Sequence, residues 1–481
     1  MIFNSLTYLL LLVFVVVLYW VLPYRSRLLL IFTASMAFYG FWRVEFLPVM
    51  LASTLVDFLV SKRMPEASAR GRKSLLMTSL VINLGMLFYF KYLIFFADNA
   101  IGFANLLGLD IEPLVLNIIL PLGISFYTFQ TISYTVDVYR GFIKPEQDFV
   151  LYACYVTFFP QLVAGPVLRA AEVIHQFANR VSFDWNDIVV GIRRILYGLF
   201  LKVVLADNIA PLVDTGFAMP VETMSALDVW TMAFLFGFQI YFDFCAYSHI
   251  ALGSARLMGI CFPENFNFPY MAVSPKDFWR RWHISLSSWI RDYLYLPLAG
   301  IKVHDRSIGG LGNAAVDKRH HRALFLTWAI MGLWHGANWT FLLWGLYHGI
   351  VIFIYRLIEP YTHSLNYSLK WLGGFIITLP LMMLAWIPFR ADSVSVTFEM
   401  WGRVLMPSAY TWLGMRENIY LITFLILIGF ITVYFFQRKI MPLLQERKLV
   451  IFVGDTAAVT VMTALVIVFL RPISQFIYFQ F

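Results

Sequence analysis

The sequence predicts an all-α, polytopic integral membrane protein. About 11–13 helices are expected, some broken or re-entrant, around a wet or protein-lined centre. Three observations carry that prediction. Of 481 residues, 60% are hydrophobic and only 13% are charged, against about 25% charged in an average soluble domain. The apolar residues recur in runs near the ~20 residues that a helix needs to cross a bilayer. Lys and Arg concentrate in the short stretches between those runs. Aromatic residues reach 18% and mean hydropathy is +0.73. A soluble globular enzyme, a disordered chain and a fibrous one are all excluded, because no soluble core hides this much apolar surface.

The first run, Ser5 to Leu22, lacks the basic flank and small-residue cleavage site of a secretory signal, so it reads as a span. Further spans read as Leu28–Trp42, Phe46–Val60, Ser74–Ala97, Leu114–Tyr134, Val150–Leu168, Val189–Val213 and Ala226–Met258. Ala323–His335, Trp339–Ile358, Lys370–Pro388, Glu417–Gln437 and Thr456–Leu470 complete the set. Leu114–Tyr134 contains Pro121 and Gly123, and Val189–Val213 contains Arg193, Arg194, Lys202 and Asp207. Broken or polar segments at membrane depth need protein or water around them. A wet or protein-lined centre is therefore expected, ringed by lipid-facing helices. Cys154, Cys245 and Cys261 form no CxxC pair, which argues against a disulfide framework or a thiolate metal site.

Loop charge sets the orientation. Arg25 and Arg27 follow the first span, and Lys62, Arg63, Arg70, Arg72 and Lys73 follow the third. Both loops are placed in the cytoplasm by the positive-inside rule. Arg438, Lys439, Arg447 and Lys448 make another cytoplasmic loop, so both termini are expected in the periplasm. The net charge of +8 is assigned to such loops, and no nucleic-acid partner is expected. A single integral membrane domain is expected over 1–481, with no appended soluble enzyme. Within it, 1–110 holds peripheral N-terminal spans, 111–350 the motif-bearing catalytic core, 351–470 C-terminal spans and 471–481 a periplasmic aromatic tail.

Ionisable residues at membrane depth are expensive and are therefore functional candidates. The densest stretch, Ser274 to Pro297, mixes Lys276, Arg280, Arg281 and Arg291 with Trp279, Trp282 and Trp289. An amphipathic interfacial helix explains most of these side chains equally well. His283 in this stretch needs a separate account. His335 stands between Trp334 and Gly336 in an apolar run, and imidazole is the side chain suited to taking a proton from a hydroxyl near neutral pH. His348 lies 13 positions on, roughly 20 Å away along a continuous helix. It reads as structural unless Gly336 and Asn338 break that helix. No close His pair of the HExxH kind is present, so no metal is expected. Phe158 to Arg169 has two Pro and a Gly in an apolar run, the pattern of an unwound segment lining a cavity. Asp243 sits with Gln239, Ser248 and His249 in another apolar run, and is costly there unless paired. A polar network holding helices together comes first as its role, with direct catalysis second.

Four stretches, FFPQLVAGP from Phe158, QIYFDFCAYSHIALG from Gln239, SPKDFWRRWHISLSSWIRDYLYLPL from Ser274 and GLWHGANWTFLLWGLYHG from Gly332, resemble the membrane-bound O-acyltransferase family. The bacterial branch containing the membrane subunit of alginate O-acetyltransferase is the most similar. The resemblance implies a funnel through the bilayer and two signature histidines, His283 and His335, with His335 the essential one. It implies acetyl-CoA as the donor substrate, with no permanently bound cofactor. It also implies a separate periplasmic partner of the SGNH-hydrolase type, which passes acetyl groups to an exported polysaccharide. The setting would be the bacterial inner membrane and its lipid. On this reading His335 acts as base and His283 orients the acceptor or the thioester. Arg280 and Arg281 are candidates for the donor's phosphates. Gln161, Trp282, Trp334, Asn338 and Asp243 are further candidates for donor or acceptor contact.

The last six residues, Phe476 to Phe481, are too short to span and strongly aromatic. They resemble a C-terminal aromatic motif of some membrane acyltransferases and of small partner peptides in D-alanyl transfer. That resemblance makes Tyr478 a candidate acyl relay, beside the alternative of an interfacial anchor. Other classes are a non-catalytic scaffold of a polysaccharide export complex, or a transporter, which should show an internal repeat that this sequence lacks. The same chemistry on cellulose, peptidoglycan or teichoic acid is equally compatible with the residues.

Overall fold

The computed structural model describes residues 3–163, 165–179, 182–301, 318–362, 366–444 and 446–471. Among them there are helices and irregular segments and no strand. Seven helices are long and apolar enough to cross a membrane: Val44–Glu66, Ala69–Leu106, Ala226–Arg256, Trp339–Thr362, Ser368–Arg390, Glu417–Leu444 and Lys448–Val468. The remaining helices are shorter or carry more charge. The chain is a multi-pass, all-α membrane protein. It packs as two compact units, Met1–Ile195 with Tyr247–Pro263, and Leu196–Ala246 with Glu264–Phe481.

In the first unit, the N-terminal helix Leu6–Val21 starts where Ser5 accepts a hydrogen bond from the Tyr8 amide, as expected of a serine N-cap. It buries one stripe only, Tyr8, Leu12, Val15 and Tyr19. Tyr8 donates its hydroxyl to Ser254 at 2.8 Å. Ser68 caps a longer element, which runs from Ala69 through a π-helical turn at Phe88–Tyr92 to Leu106. It is longer at both ends than the expected span Ser74–Ala97. A buried polar knot ties three helices of this unit. Asp57 accepts hydrogen bonds from Ser79, from Asn83 Nδ2 at 2.7 Å and from Thr135 at 3.1 Å.

The expected span Leu114–Tyr134 requires correction. Its first half is not helical, and helix begins only at Ile124 and runs to Arg140. Gly108, Asp110 and Gly123 all have positive φ, and Pro113 and Pro121 punctuate the stretch, so apolar content there does not translate into helix. Gly123, at φ +71, has a further constraint: a Cβ would lie 2.4 Å from the Leu162 carbonyl oxygen. The expected span Val150–Leu168 is likewise broken. Helix covers Phe149–Thr157, and the chain then unwinds up to Ala170. This irregular backbone is buried and is hydrogen-bonded by side chains. Ser35 accepts from the Phe159 amide, Tyr155 donates to the Leu168 carbonyl and Gln161 donates to the Tyr155 carbonyl. That is the condition under which irregular backbone is tolerated at membrane depth.

In the second unit, the stretch from Ser274 to Pro297 is not one amphipathic helix. It divides into Pro275–Trp279, Ile284–Ile290, a π-helical turn and a last short turn. Helix Lys318–His335 stops at Gly336, and Asn338 caps the returning helix Trp339–Ile358 by accepting from the Thr340 amide at 3.1 Å. The two form a hairpin whose backbones touch. A Cβ on Gly332 would lie 2.3 Å from the Phe341 carbonyl oxygen, and one on Gly345 would lie 2.1 Å from that of Trp328.

Neither clash is relieved by a rotamer change, because both obstacles are backbone. Gly332→Ala and Gly345→Ala are therefore each expected to destabilise the protein by about 1–3 kcal/mol. Gly429→Ala, whose Cβ meets nothing within 4 Å, should be neutral or slightly stabilising. Thermal unfolding of the purified variants in one detergent compares the three; equal midpoints for all would contradict the hairpin contact.

Candidate active site

The second unit contains His283 and His335, the two histidines that the family resemblance singles out. His335 ends its helix and is buried, with 7% of its surface exposed. Its ring packs against Trp334 and Trp344, each at a centroid distance of 4.8 Å, and against Phe389 at 5.3 Å. The contacts are edge-to-face, at 68–81°. Gly336 leaves room for Phe341, which packs on Phe389 at 4.9 Å, since a Cβ there would lie 2.1 Å from the Phe341 ring.

His283 caps the helix Ile284–Ile290 with a left-handed backbone at φ +42, a conformation that costs a non-glycine residue strain. Asn265 holds it. Asn265 Oδ1 accepts from the Ser285 amide at 3.3 Å and the Ser285 hydroxyl at 2.9 Å, and it faces His283 Nδ1 at 3.0 Å. The backbone amide can only donate, so the Asn265 atom is the oxygen, and His283 Nδ1 carries the proton. The lone pair of the neutral ring is therefore on Nε2. His283 lies outside the seven crossing helices, and its burial pushes the imidazole pKa down to about 3, so the ring is neutral. Phe244 packs edge-on at 4.7 Å and Phe266 stacks at 6.4 Å.

Aromatic rings connect the two histidines. From His335 the path runs to Trp344, then to Trp386 at 6.4 Å and to Trp282 at 4.8 Å. It continues to Phe266 at 5.2 Å and reaches His283. Trp282 also stacks on Phe278 at 5.7 Å. The predicted residues Trp282 and Trp334 are thus buried in one aromatic lattice with both histidines.

Other predicted residues have different surroundings. Arg280 is exposed. Arg281 pairs with Asp277 one turn back at 2.9 Å. Asn338 is exposed and serves as the helix cap described above. Gln161 belongs to the first unit, where it bonds the Tyr155 carbonyl. Asp243 is ion-paired: Lys202 Nζ lies 2.7 Å from it and 2.9 Å from Asp207. Tyr478 lies outside the described residues. Among the described residues no three His, Cys, Asp or Glu side chains gather as a metal-ligand set.

Several contributors had no mark in the sequence. Asn265 sits in an unremarkable loop, and Trp386 and Phe389 come from a distant apolar run. The Lys202–Asp243 pair was signalled only by two opposite charges in separate apolar helices. His348 was set aside on the assumption of a continuous helix, which the break at Gly336 removes.

Comparison with known proteins shows the family. A model of the membrane-bound O-acyltransferase family matches residues 144–389. The probable alginate O-acetylase AlgI of Azotobacter vinelandii is 39% identical over 390 residues, covering 80% of this chain and 74% of the relative. The protein of the same name from Pseudomonas aeruginosa is 39% identical over 389 residues, covering 80% and 71%. The peptidoglycan O-acetyltransferase of Helicobacter pylori is 35% identical over 388 residues, covering 75% and 70%.

The buried pair yields a stability test. Lys202→Met removes the cation paired with the buried Asp243 and should cost about 3–5 kcal/mol. Adding Asp243→Leu to it should recover most of that loss. A double variant no more stable than Lys202→Met, by detergent thermal unfolding, would contradict the pairing.

Proposed function

Since the chain belongs to the membrane-bound O-acyltransferase family and is a membrane O-acyltransferase, we propose that it moves acetyl groups from cytoplasmic acetyl-CoA across the bacterial inner membrane. The acceptor is an exported polysaccharide such as alginate, reached through a periplasmic SGNH-hydrolase-like partner. Both termini lie in the periplasm on this reading. The observation that carries it is His335, a buried imidazole at a helix break inside an aromatic wall. A thioester is already reactive, so the enzyme must chiefly position it and activate a nucleophile. His335 takes the proton of the attacking hydroxyl as its oxygen bonds to the acetyl carbon. The carbon–sulfur bond breaks, and the thiolate of CoA takes that proton. His283, neutral and with its lone pair on Nε2, accepts a hydrogen bond and so orients the acceptor.

Tyr478 supplies the first attacking hydroxyl in this scheme. Its acetyl ester then passes to the periplasmic partner, and the phenol is restored. Arg280, the exposed cation of the motif, contacts donor phosphate. The relative named a peptidoglycan O-acetyltransferase supports the same chemistry on a second polymer, and offering both acceptors in one assay separates the two.

His335→Ala is expected to lower acetyl transfer from labelled acetyl-CoA in membranes by about 10²–10⁴-fold, the usual contribution of a general base. Retained activity would favour a scaffold. Tyr478→Phe should abolish polymer acetylation while the protein level is unchanged. Normal polymer acetylation by that variant would eliminate the relay.

A further inference from the structure

A second buried histidine stands one indole away from His335. His348 packs edge-on to Trp344 at 4.8 Å, as His335 does from its own helix. It also contacts Trp279 at 4.9 Å and stacks on Trp328 at 5.3 Å. Its side chain is almost wholly enclosed, at 1% exposure. Both ring nitrogens of His348, and the indole nitrogens of Trp279 and Trp344, are buried with no hydrogen-bond partner among the described residues. Such groups are nearly always paired in native interiors. Packing alone would be served at no such cost by phenylalanine. Their clustering on one hairpin and the adjoining Pro275–Trp279 turn therefore points to a ligand.

The donor inventory identifies its class. Indole N–H groups only donate, and a neutral imidazole has one donor and one acceptor. The cluster thus offers three donors and one acceptor, between apolar ring faces. Donors outnumber the acceptor three to one, so the set favours an uncharged group that accepts: a carbonyl oxygen bearing a short alkyl substituent. We propose that His348, Trp279 and Trp344 bind the carbonyl oxygen of the acyl group being transferred. The inference rests on the acetyl-transfer reading above. As the hydroxyl oxygen bonds to the carbonyl carbon and its proton passes to His335, the carbonyl π pair moves onto the oxygen held by these N–H groups. When the C=O bond reforms, the carbon–sulfur bond breaks and the thiolate takes the proton from His335. Donors placed where charge develops act most strongly in a water-excluded site.

The test uses the full chain in membranes with acetyl-CoA. His348→Phe keeps an aromatic ring and removes both nitrogens. It should lower kcat by about 10²-fold or more, the usual effect of losing one such donor, with KM changed by no more than about threefold and thermal midpoint preserved. His348→Gln, which restores a donor, should recover part of the loss. Trp279→Phe should behave like His348→Phe, and it decides the matter if the histidine variant fails to fold. Infrared spectra with ¹³C-carbonyl acetyl-CoA should show the bound carbonyl stretch shifted down in the wild type and less so in either variant. A folded His348→Phe or Trp279→Phe enzyme with wild-type kcat and the full wild-type downshift of the carbonyl stretch overturns the proposal. If that result comes while His335→Ala is inactive in the same membranes, only this inference fails and the acetyl-transfer reading stands. If the wild type transfers nothing from acetyl-CoA, the acetyl-transfer reading fails and takes the carbonyl site with it.

Discussion

The contact of Gly332 with Gly345 is the constraint on which the candidate site depends. Two helices in lipid gain little from hydrophobic association, because the tails around them are equally apolar. They associate through close packing, and small residues allow it. Here the absence of two Cβ atoms brings backbones into contact, and Gly336 stops the first helix at His335. The returning helix then presents Trp344 to His335 and His348 at once. Without the break, the two histidines would be separated along a helix axis; with it, they flank a single indole.

A second constraint is the disposal of polar groups. Lipid offers no hydrogen bonds, so each intramembrane polar atom must be answered within the protein. The chain does this in two ways. Asp57 receives uncharged donors from two neighbouring helices, a carboxylate satisfied by hydroxyl and amide groups. Asp243 instead meets a cation, Lys202, which also reaches Asp207. Both arrangements leave the buried charge tied down. The unpaired nitrogens of His348, Trp279 and Trp344 contrast with them.

Much of this was legible in the sequence, for physical reasons that also mark its limits. Apolar run length and loop charge identify the membrane class because lipid imposes them directly. The prolines and glycine after Phe158 marked a helix interruption, since both residue types act locally, whereas the break at Gly336 was left open. What could not be read was anything set by distant contacts. Trp282 meets Trp386, and His283 meets Asn265, through the packing of the second unit. The charges of Lys202 and Asp243 were visible, but their pairing across 41 positions was not. The apolar stretch before Ile124 misled because hydropathy reports on solvent and not on backbone conformation. Arg281 and Asn338 illustrate the converse: motif residues whose visible contacts are an ion pair and a helix cap.

The aromatic lattice resolves a conflict inherent in acyl transfer within a membrane. The site must exclude water, or a reactive thioester is wasted by hydrolysis, yet it must stabilise a developing negative oxygen. Aliphatic packing meets the first demand and fails the second. Tryptophan and histidine meet both, because each ring has an apolar face and an edge that donates a hydrogen bond. Edge-to-face contacts, which dominate around His335 and His348, direct edges and faces toward different neighbours. They also restrict each ring through several others, so that donors are held before substrate arrives. Preorganisation of that kind requires no rearrangement during the reaction. A lattice of rings is therefore the economical way for a chain with few buried charges to build a polar transition-state environment inside an apolar one.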